Sequence, residues 1–279
     1  MIYLALEILT VCGINLSFAF AKKRGYDNLH FTIFNYITAS AVSACQLGAK
    51  LMAGQERCFE SGITWKLAIV TGFLYLLCFL LQQDVTFKYG PSVNAMFTRL
   101  AMIVSVLFSV IVFKESAGIL RWIGFALAIV CLFVYSYAPG MKVDTLPLIL
   151  LLVNGSVQIV NNLFAKLCPA ADKPFFMSLV YFVALVFAVA ENRRRNKGKE
   201  IKRSEILFGI VLGTLNLLAA SFQLMALRLL PATLVFPTAS VSIILLTAAL
   251  GKLFFAEKFD KKALASFGIA VVSLVLLNI

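Results

Sequence analysis

The chain has 279 residues, 61% of them hydrophobic and 14% charged, with a mean hydropathy of +0.94. Ordinary soluble domains hold roughly 45 to 50% apolar residues, so the composition excludes a soluble globular protein and points to a multi-pass protein of a cell membrane. The formal net charge of +12 sits mainly at the ends of apolar segments and in the short connections between them, where topology signals and lipid anchors lie, and implies no nucleic-acid partner.

In chain order the apolar segments fall at 2–21, 30–53, 63–87, 91–113, 118–138, 145–167, 174–191, 204–228, 232–255 and 262–278. Most approach the roughly 20 residues a helix needs to cross about 30 Å of hydrocarbon. None alternates with period 2, so they read as helices rather than barrel strands, and the connections leave no room for a soluble domain. Segment 2–21 lacks a basic leader and a small-residue cleavage site, and reads as a retained helix. The six cysteines are scattered without a Cys-x-x-Cys pair, and the single histidine, His30, opens a segment. Neither a metal site nor a Ser-His-Asp constellation can be assembled from them, so no cofactor, no metal and no enzymatic activity is expected. The run "ENRRRNKGKEIKRS", basic over 193–203, is expected against anionic lipid.

The sequence repeats itself. "GFLYLLCFLLQQDVTFKYGPS" from Gly72 aligns with "GTLNLLAASFQLMALRLLPAT" from Gly213, bringing Gln82 onto Gln223 and Pro91 within one residue of Pro231. Further on, "VFKE" ending at Glu115 matches "FFAE" ending at Glu257, and "FAK" ends the first segment at Lys22 and the sixth at Lys166. The predicted fold is therefore all-α, ten transmembrane helices in two five-helix repeats, 1–140 and 141–279, forming one compact membrane unit. Five is odd, so the second copy enters the membrane inverted. That arrangement places a binding site near the midplane between the halves, with access alternating between the two sides.

A proline-opened helix, "YGPSVNAMFTRLAMIVSVLFSVIVFKE", followed by "WIGFALAIVCLFVYS" and repeated as "LLPATLVFPTASVSIILLTAALGKLFFAEKF" with "SFGIAVVSLVLLN", resembles the drug/metabolite transporter superfamily, ten-helix EamA branch. The resemblance covers nearly the whole chain. It implies a carrier of small metabolites, often an exporter of amino acids or related compounds. The branch usually carries an interior proline in the fourth helix; here Pro237 supplies one in the ninth, while the fourth has Leu100-Ala101-Met102. Orientation is open: 16 of the 25 Lys and Arg residues follow the odd-numbered helices, which puts both termini outside under the positive-inside rule, whereas the resemblance implies both inside.

Helical spacing sorts the polar residues into stripes. Tyr75, Phe79, Gln82 and Thr86 share a face of the third helix; Asn216 and Gln223 occupy the equivalent positions of the eighth; Asn154, Gln158 and Asn161 line one face of the sixth. Matching stripes in both repeats suit a shared cavity, whereas helix-to-helix glue need not repeat in register. Arg99 lies eight residues into an apolar run, a costly place for a guanidinium. Two readings are open for it: a bidentate fork for a substrate carboxylate, or a structural pair with Asp84. Glu7, about 1.5 turns into the first helix, and Asp84 are the candidates for proton coupling. The expected function is secondary transport of a small polar metabolite, an amino acid or related carboxylate-bearing compound. The rivals are a proton-coupled exporter of organic cations or drugs through Glu7, with Tyr75, Phe79 and Phe97 stacking on the substrate, and a non-transporting membrane enzyme or scaffold. A monomer is expected, with a dimer as the alternative.

Overall fold

The computed structural model describes residues 1–52, 62–112, 118–136, 145–169, 172–196, 199–230, 232–257 and 261–278. Among these there are helices and no strand: α1 (Ile2–Arg24), α2 (Asn28–Met52), α3 (Gly62–Tyr89), α4 (Pro91–Leu100), α5 (Met102–Val112), α6 (Ile119–Ser136), α7 (Leu146–Leu167), α8 (Lys173–Arg195), α9 (Arg203–Leu229), α10 (Ala232–Phe255) and α11 (Lys261–Asn278). Seven stretches are long and apolar enough to cross a bilayer: Ile2–Arg24, Gly62–Tyr89, Pro91–Val112, Leu146–Phe164, Lys173–Arg195, Arg203–Gln223 and Thr238–Phe255. α6 contributes a shorter apolar helix, Ile119–Cys131. α2 is long, but His30, Thr32, Asn35 and Ser43 lower its hydropathy. All four are buried, because α2 packs against α8 and α9 rather than meeting lipid along those faces.

The fourth apolar segment, expected as one helix over 91–113, is instead divided at Ala101 into α4 and α5. No proline causes the interruption, and α10 runs through Pro237 without one. The physical account lies in a neighbour. Asn154 of α7 donates its Nδ2 to the Thr98 carbonyl at 2.9 Å, and that carbonyl's ordinary in-helix partner would be the Met102 amide. A side chain thus satisfies a main-chain group that has no water to turn to.

Many of the helix neighbours come in matched pairs. α3 lies against α8, and α9 against α2; α1 lies against α9, and α3 against α7; α1 meets α10, while α4 and α5 meet α7; α2 pairs with α8 and α6 with α11. Two glycines at equivalent positions allow close approach at two of these crossings. A Cβ on Gly72 would come within 2.7 Å of the Val180 carbonyl of α8, and one on Gly213 within 2.8 Å of the Asn35 carbonyl of α2. Small residues at such crossings let backbones close up where apolar burial supplies no net attraction over lipid.

Parallel neighbours are tied at both ends of the bundle. At one end Thr64 Oγ1 donates to Asp172 Oδ2 at 2.7 Å, joining the start of α3 to the start of α8. At the other, α1 ends on Gly25, whose φ of 65° is left-handed, and Lys22 Nζ donates to the Phe87 carbonyl of α3. Pro91 opens α4, where its missing N–H costs nothing, and Glu257, just beyond α10, reaches its carboxylate to Ser92 N at 3.3 Å and Ser92 Oγ at 2.5 Å. An acid at a helix N-terminus meets unpaired amides and the positive end of the dipole. Burial raises the Glu257 carboxyl above its ordinary value, with the Ser92 bonds working the other way. Pro231 and Glu115, which the repeat aligns with Pro91 and Glu257, lie outside the described residues.

Candidate functional site

A cavity of about 230 Å³ opens among α1, α2, α3, α7, α8 and α9. Tyr75 stands at the middle of α3 and Asn216 at the middle of α9, so the cavity lies near half depth in the bundle. Its polar lining is Asn35, Tyr36, Tyr75, Gln82, Asn154, Tyr181 and Asn216; Ile14, Ala39, Cys78, Phe79 and Val157 complete the wall. No Asp, Glu, Lys, Arg or His is among these residues. The volume falls below the roughly 300 to 1,000 Å³ of pockets for drug-sized ligands, so the space suits a small solute.

The aromatic part of the wall is held by ring contacts. Phe79 meets Phe18 edge-on with centroids 5.2 Å apart and Tyr36 at 5.7 Å, and Tyr75 meets Tyr181 edge-on at 6.1 Å. The amides are each tied by one bond and keep further donor or acceptor capacity. Asn216 Nδ2 donates to Asn35 Oδ1 at 2.7 Å, Asn154 to the Thr98 carbonyl, and among the described residues Gln82 Nε2 meets only the soft acceptor Cys78 Sγ at 3.3 Å.

Tyr75, Gln82, Asn154 and Asn216 thus come together from three helices and both halves of the chain. Asn161 does not line the cavity but lies close to Tyr75, which does. Gln158 is partly buried on α7 and does not line the cavity. Gln223 points elsewhere, with Nε2 donating to Glu7 Oε1 at 3.1 Å.

Arg99 is also outside the lining. It lies within electrostatic reach of Glu7 and Cys12, on the α1 side of α4. Glu7 is 1% exposed, and its Oε2 has no hydrogen-bond partner among the described residues. Neighbouring bonds extend this polar patch: Asn94 Nδ2 to Asn15 Oδ1 at 3.3 Å, Thr98 Oγ1 to Asn94 Oδ1 at 3.3 Å and Thr247 Oγ1 to Cys12 Sγ at 3.4 Å. The Arg99–Asp84 pair considered from sequence does not form. Asp84 is exposed near one end of α3, and its basic neighbour is Arg195. Axial spacing brought Asp84 and Arg99 together on paper; the two side chains leave their helices in different directions.

A second polar cluster closes one end of the bundle. Glu205, at the start of α9, accepts from Asp27 N at 2.8 Å and Lys202 N at 3.1 Å, and its Oε2 lies 2.7 Å from His30 Nδ1. Asp27, in the α1–α2 connection, accepts from Asn196 Nδ2 at 2.7 Å, Leu29 N at 3.0 Å and Lys199 Nζ at 3.2 Å. Burial alone would raise the Asp27 carboxyl, but these bonds outweigh it and hold it below its ordinary value. Part of the 193–203 run is therefore tied to the protein itself: Lys199 to Asp27, and Arg194 and Arg195 to Glu191. Among the described residues no three His, Cys, Asp or Glu side chains gather as a metal ion would need.

Asn35, Tyr36 and Tyr181 line the cavity without having been singled out from sequence. A signal was present for the tyrosines. "DNLHFTIFNY" from Asp27 and "DKPFFMSLVY" from Asp172 share an aspartate, a Phe four residues on and a Tyr nine residues on, so Tyr36 and Tyr181 are a matched pair.

No family model and no curated protein sequence matches the chain. A solved structure described only as a crystal structure of a protein is similar to it, with a TM-score of 0.59 and 14% identity over 99% of this chain and 94% of that one. At that identity the likeness carries the fold alone.

Proposed function

We propose that this protein is a secondary transporter, built as ten membrane-spanning helices in two inverted repeats of five, that carries a small polar solute of no net charge by alternating access through the central cavity. The observation that carries the reading is the cavity itself: polar side chains from both halves open into empty volume at half depth, where unsatisfied amides cost several kcal/mol unless something uses them. The matched neighbours support the repeat. Exchanging each helix of the first half for its counterpart in the second, with α4 and α5 taken as one, returns the pairs named above, although α10 against α11 and α1 against α4 have no counterpart of similar extent among the described residues, and Gly72 on Val180 mirrors Gly213 on Asn35. The resemblance to the drug/metabolite transporter superfamily belongs to this proposal and rests on the residues alone.

An uncharged lining disfavours a solute with a full unpaired charge, because moving one out of water is costly without a counter-charge. A neutral amino acid or a similar net-neutral metabolite fits the amides and tyrosines. A carboxylate fork on Arg99 would require that side chain to leave Glu7, and an organic cation would have to reach Glu7 beyond the cavity wall.

Solute counterflow in proteoliposomes tests the proposal. Vesicles preloaded with a mixture of neutral amino acids should accumulate labelled solute transiently, while vesicles loaded with a dicarboxylate or a quaternary ammonium should not. A membrane enzyme or scaffold would give no counterflow with any solute.

A further inference from the structure

We propose that the groove between α1 and α10 is a binding site for one anionic phospholipid. Gly13, Leu16, Phe20, Lys23 and Arg24 recur along one face of α1, and Phe254 of α10 stands opposite, flanking an open groove of about 690 Å³. From Gly13 to Arg24 the stripe rises about 16 Å at 1.5 Å per residue, close to half of a hydrocarbon core of about 30 Å. The groove is one leaflet deep.

Its deep end is open by composition. Glycine inside a helix weakens it by roughly 1 kcal/mol relative to alanine, and Gly72, Gly155, Gly209 and Gly213 each sit against a neighbouring helix. Gly13 does not: a Cβ there would meet nothing within 4 Å. The hydroxyl of Ser17, on the same face, turns back to the Gly13 carbonyl at 2.7 Å, leaving an apolar slot of acyl-chain character.

Its shallow end is cationic. Lys23 and Arg24 are exposed, and the Arg24 guanidinium sits 5.3 Å over the Phe20 ring at the mouth. Lys22, next in sequence, is turned away to the Phe87 carbonyl. Among the described residues no acid lines the groove, and Glu257, two residues past α10, is engaged by Ser92. Two cations without an acid, above an apolar slot one leaflet deep, match a phosphodiester with its acyl chains; the ammonium of a zwitterionic headgroup would be set against them. The sequence agrees, since 16 of the 25 Lys and Arg residues follow the odd-numbered helices, as Lys23 and Arg24 do, and the positive-inside rule turns that side to the leaflet richer in anionic lipid. Nothing here depends on transport.

The test uses the full chain in detergent, delipidated and then titrated with phosphatidylglycerol or phosphatidylcholine, with bound lipid counted by native mass spectrometry and unfolding followed by heat. Wild type should retain one phosphatidylglycerol and unfold at a higher temperature with it, phosphatidylcholine doing neither. Lys23→Ala/Arg24→Ala removes the headgroup contacts and should weaken retention roughly 30-fold; Gly13→Leu keeps both charges but fills the slot and should also release the lipid. Arg193→Ala/Arg194→Ala, equal in charge removed, should leave retention unchanged. Equal retention of phosphatidylcholine, or loss that follows the 193–194 change as strongly as the 23–24 change, would overturn the site and leave only general attraction of a basic protein to acidic lipid. Competition by soluble glycerol phosphate alone would do the same, since it needs no slot.

Discussion

Two regions of the molecule gather polar side chains against an apolar background, and they differ in what those side chains have left to offer. In the Glu205 cluster the carboxylate takes two main-chain amides and a histidine, and Asp27 takes an amide, a side-chain amide and a lysine. In the central cavity, among the described residues, Gln82 has only a cysteine sulfur, and Asn35, Asn154 and Asn216 keep spare capacity beside an empty volume. The first arrangement is spent on holding two connections together; the second is held ready. Polarity at depth does not by itself distinguish scaffold from site, and the accounting of bonds does.

The sharpest way to break the comparison is to cut the Glu205 cluster. Glu205→Ala leaves His30 and two amides without their acceptor and should cost on the order of 3 kcal/mol, read as the largest fall in unfolding temperature of any change discussed here. If stability barely moves, the cluster is not the fastener described. Next come the close crossings. Gly72→Val and Gly213→Val should each cost about 1 to 3 kcal/mol by overpacking, and by similar amounts, because each Cβ meets an equivalent carbonyl; a large loss at one and none at the other would break the mirrored packing.

A double-mutant cycle sharpens the place of the arginine. Arg99→Met should strand the buried Glu7 carboxylate and lower stability, and adding Glu7→Gln should recover much of the loss, a coupling of about 1 to 2 kcal/mol. The same cycle with Asp84→Asn should show none. The smallest effect is a pH dependence. Asp27 is held below its ordinary value, so its contribution is fully present above the unfolded carboxyl pKa of about 3.9 and is lost as pH falls through the lower folded value. For a partly exposed group that is under about 1 kcal/mol, seen as a shallow loss of unfolding temperature below about pH 4 that Asp27→Asn should flatten.

The helices were legible because predominantly apolar runs of about 20 residues leave little else for α1, α3 or α8 to be, and the stripe of Tyr75 and Gln82 was legible because period 3.6 assigns faces. Direction between helices was not. Gln223 matches Gln82 in register yet bonds Glu7, and Arg99 turns to α1, since where a side chain ends up depends on the neighbour across the gap. The division at Ala101 left no trace in propensity either. The group that takes up the freed Thr98 carbonyl there is Asn154, more than 50 residues away in sequence.

The central claim is that the cavity's spare hydrogen-bonding capacity serves a solute. Gln82→Met keeps the volume and removes the amide with the most spare capacity, without stranding a main-chain group. We predict that this variant inserts, unfolds within about 1 kcal/mol of wild type as loss of a weak polar contact in a membrane usually allows, and loses counterflow of a neutral amino acid by about tenfold. Counterflow at the wild-type rate in the stably folded variant would contradict the account, because the amides of the cavity would then be scaffold like the Glu205 cluster.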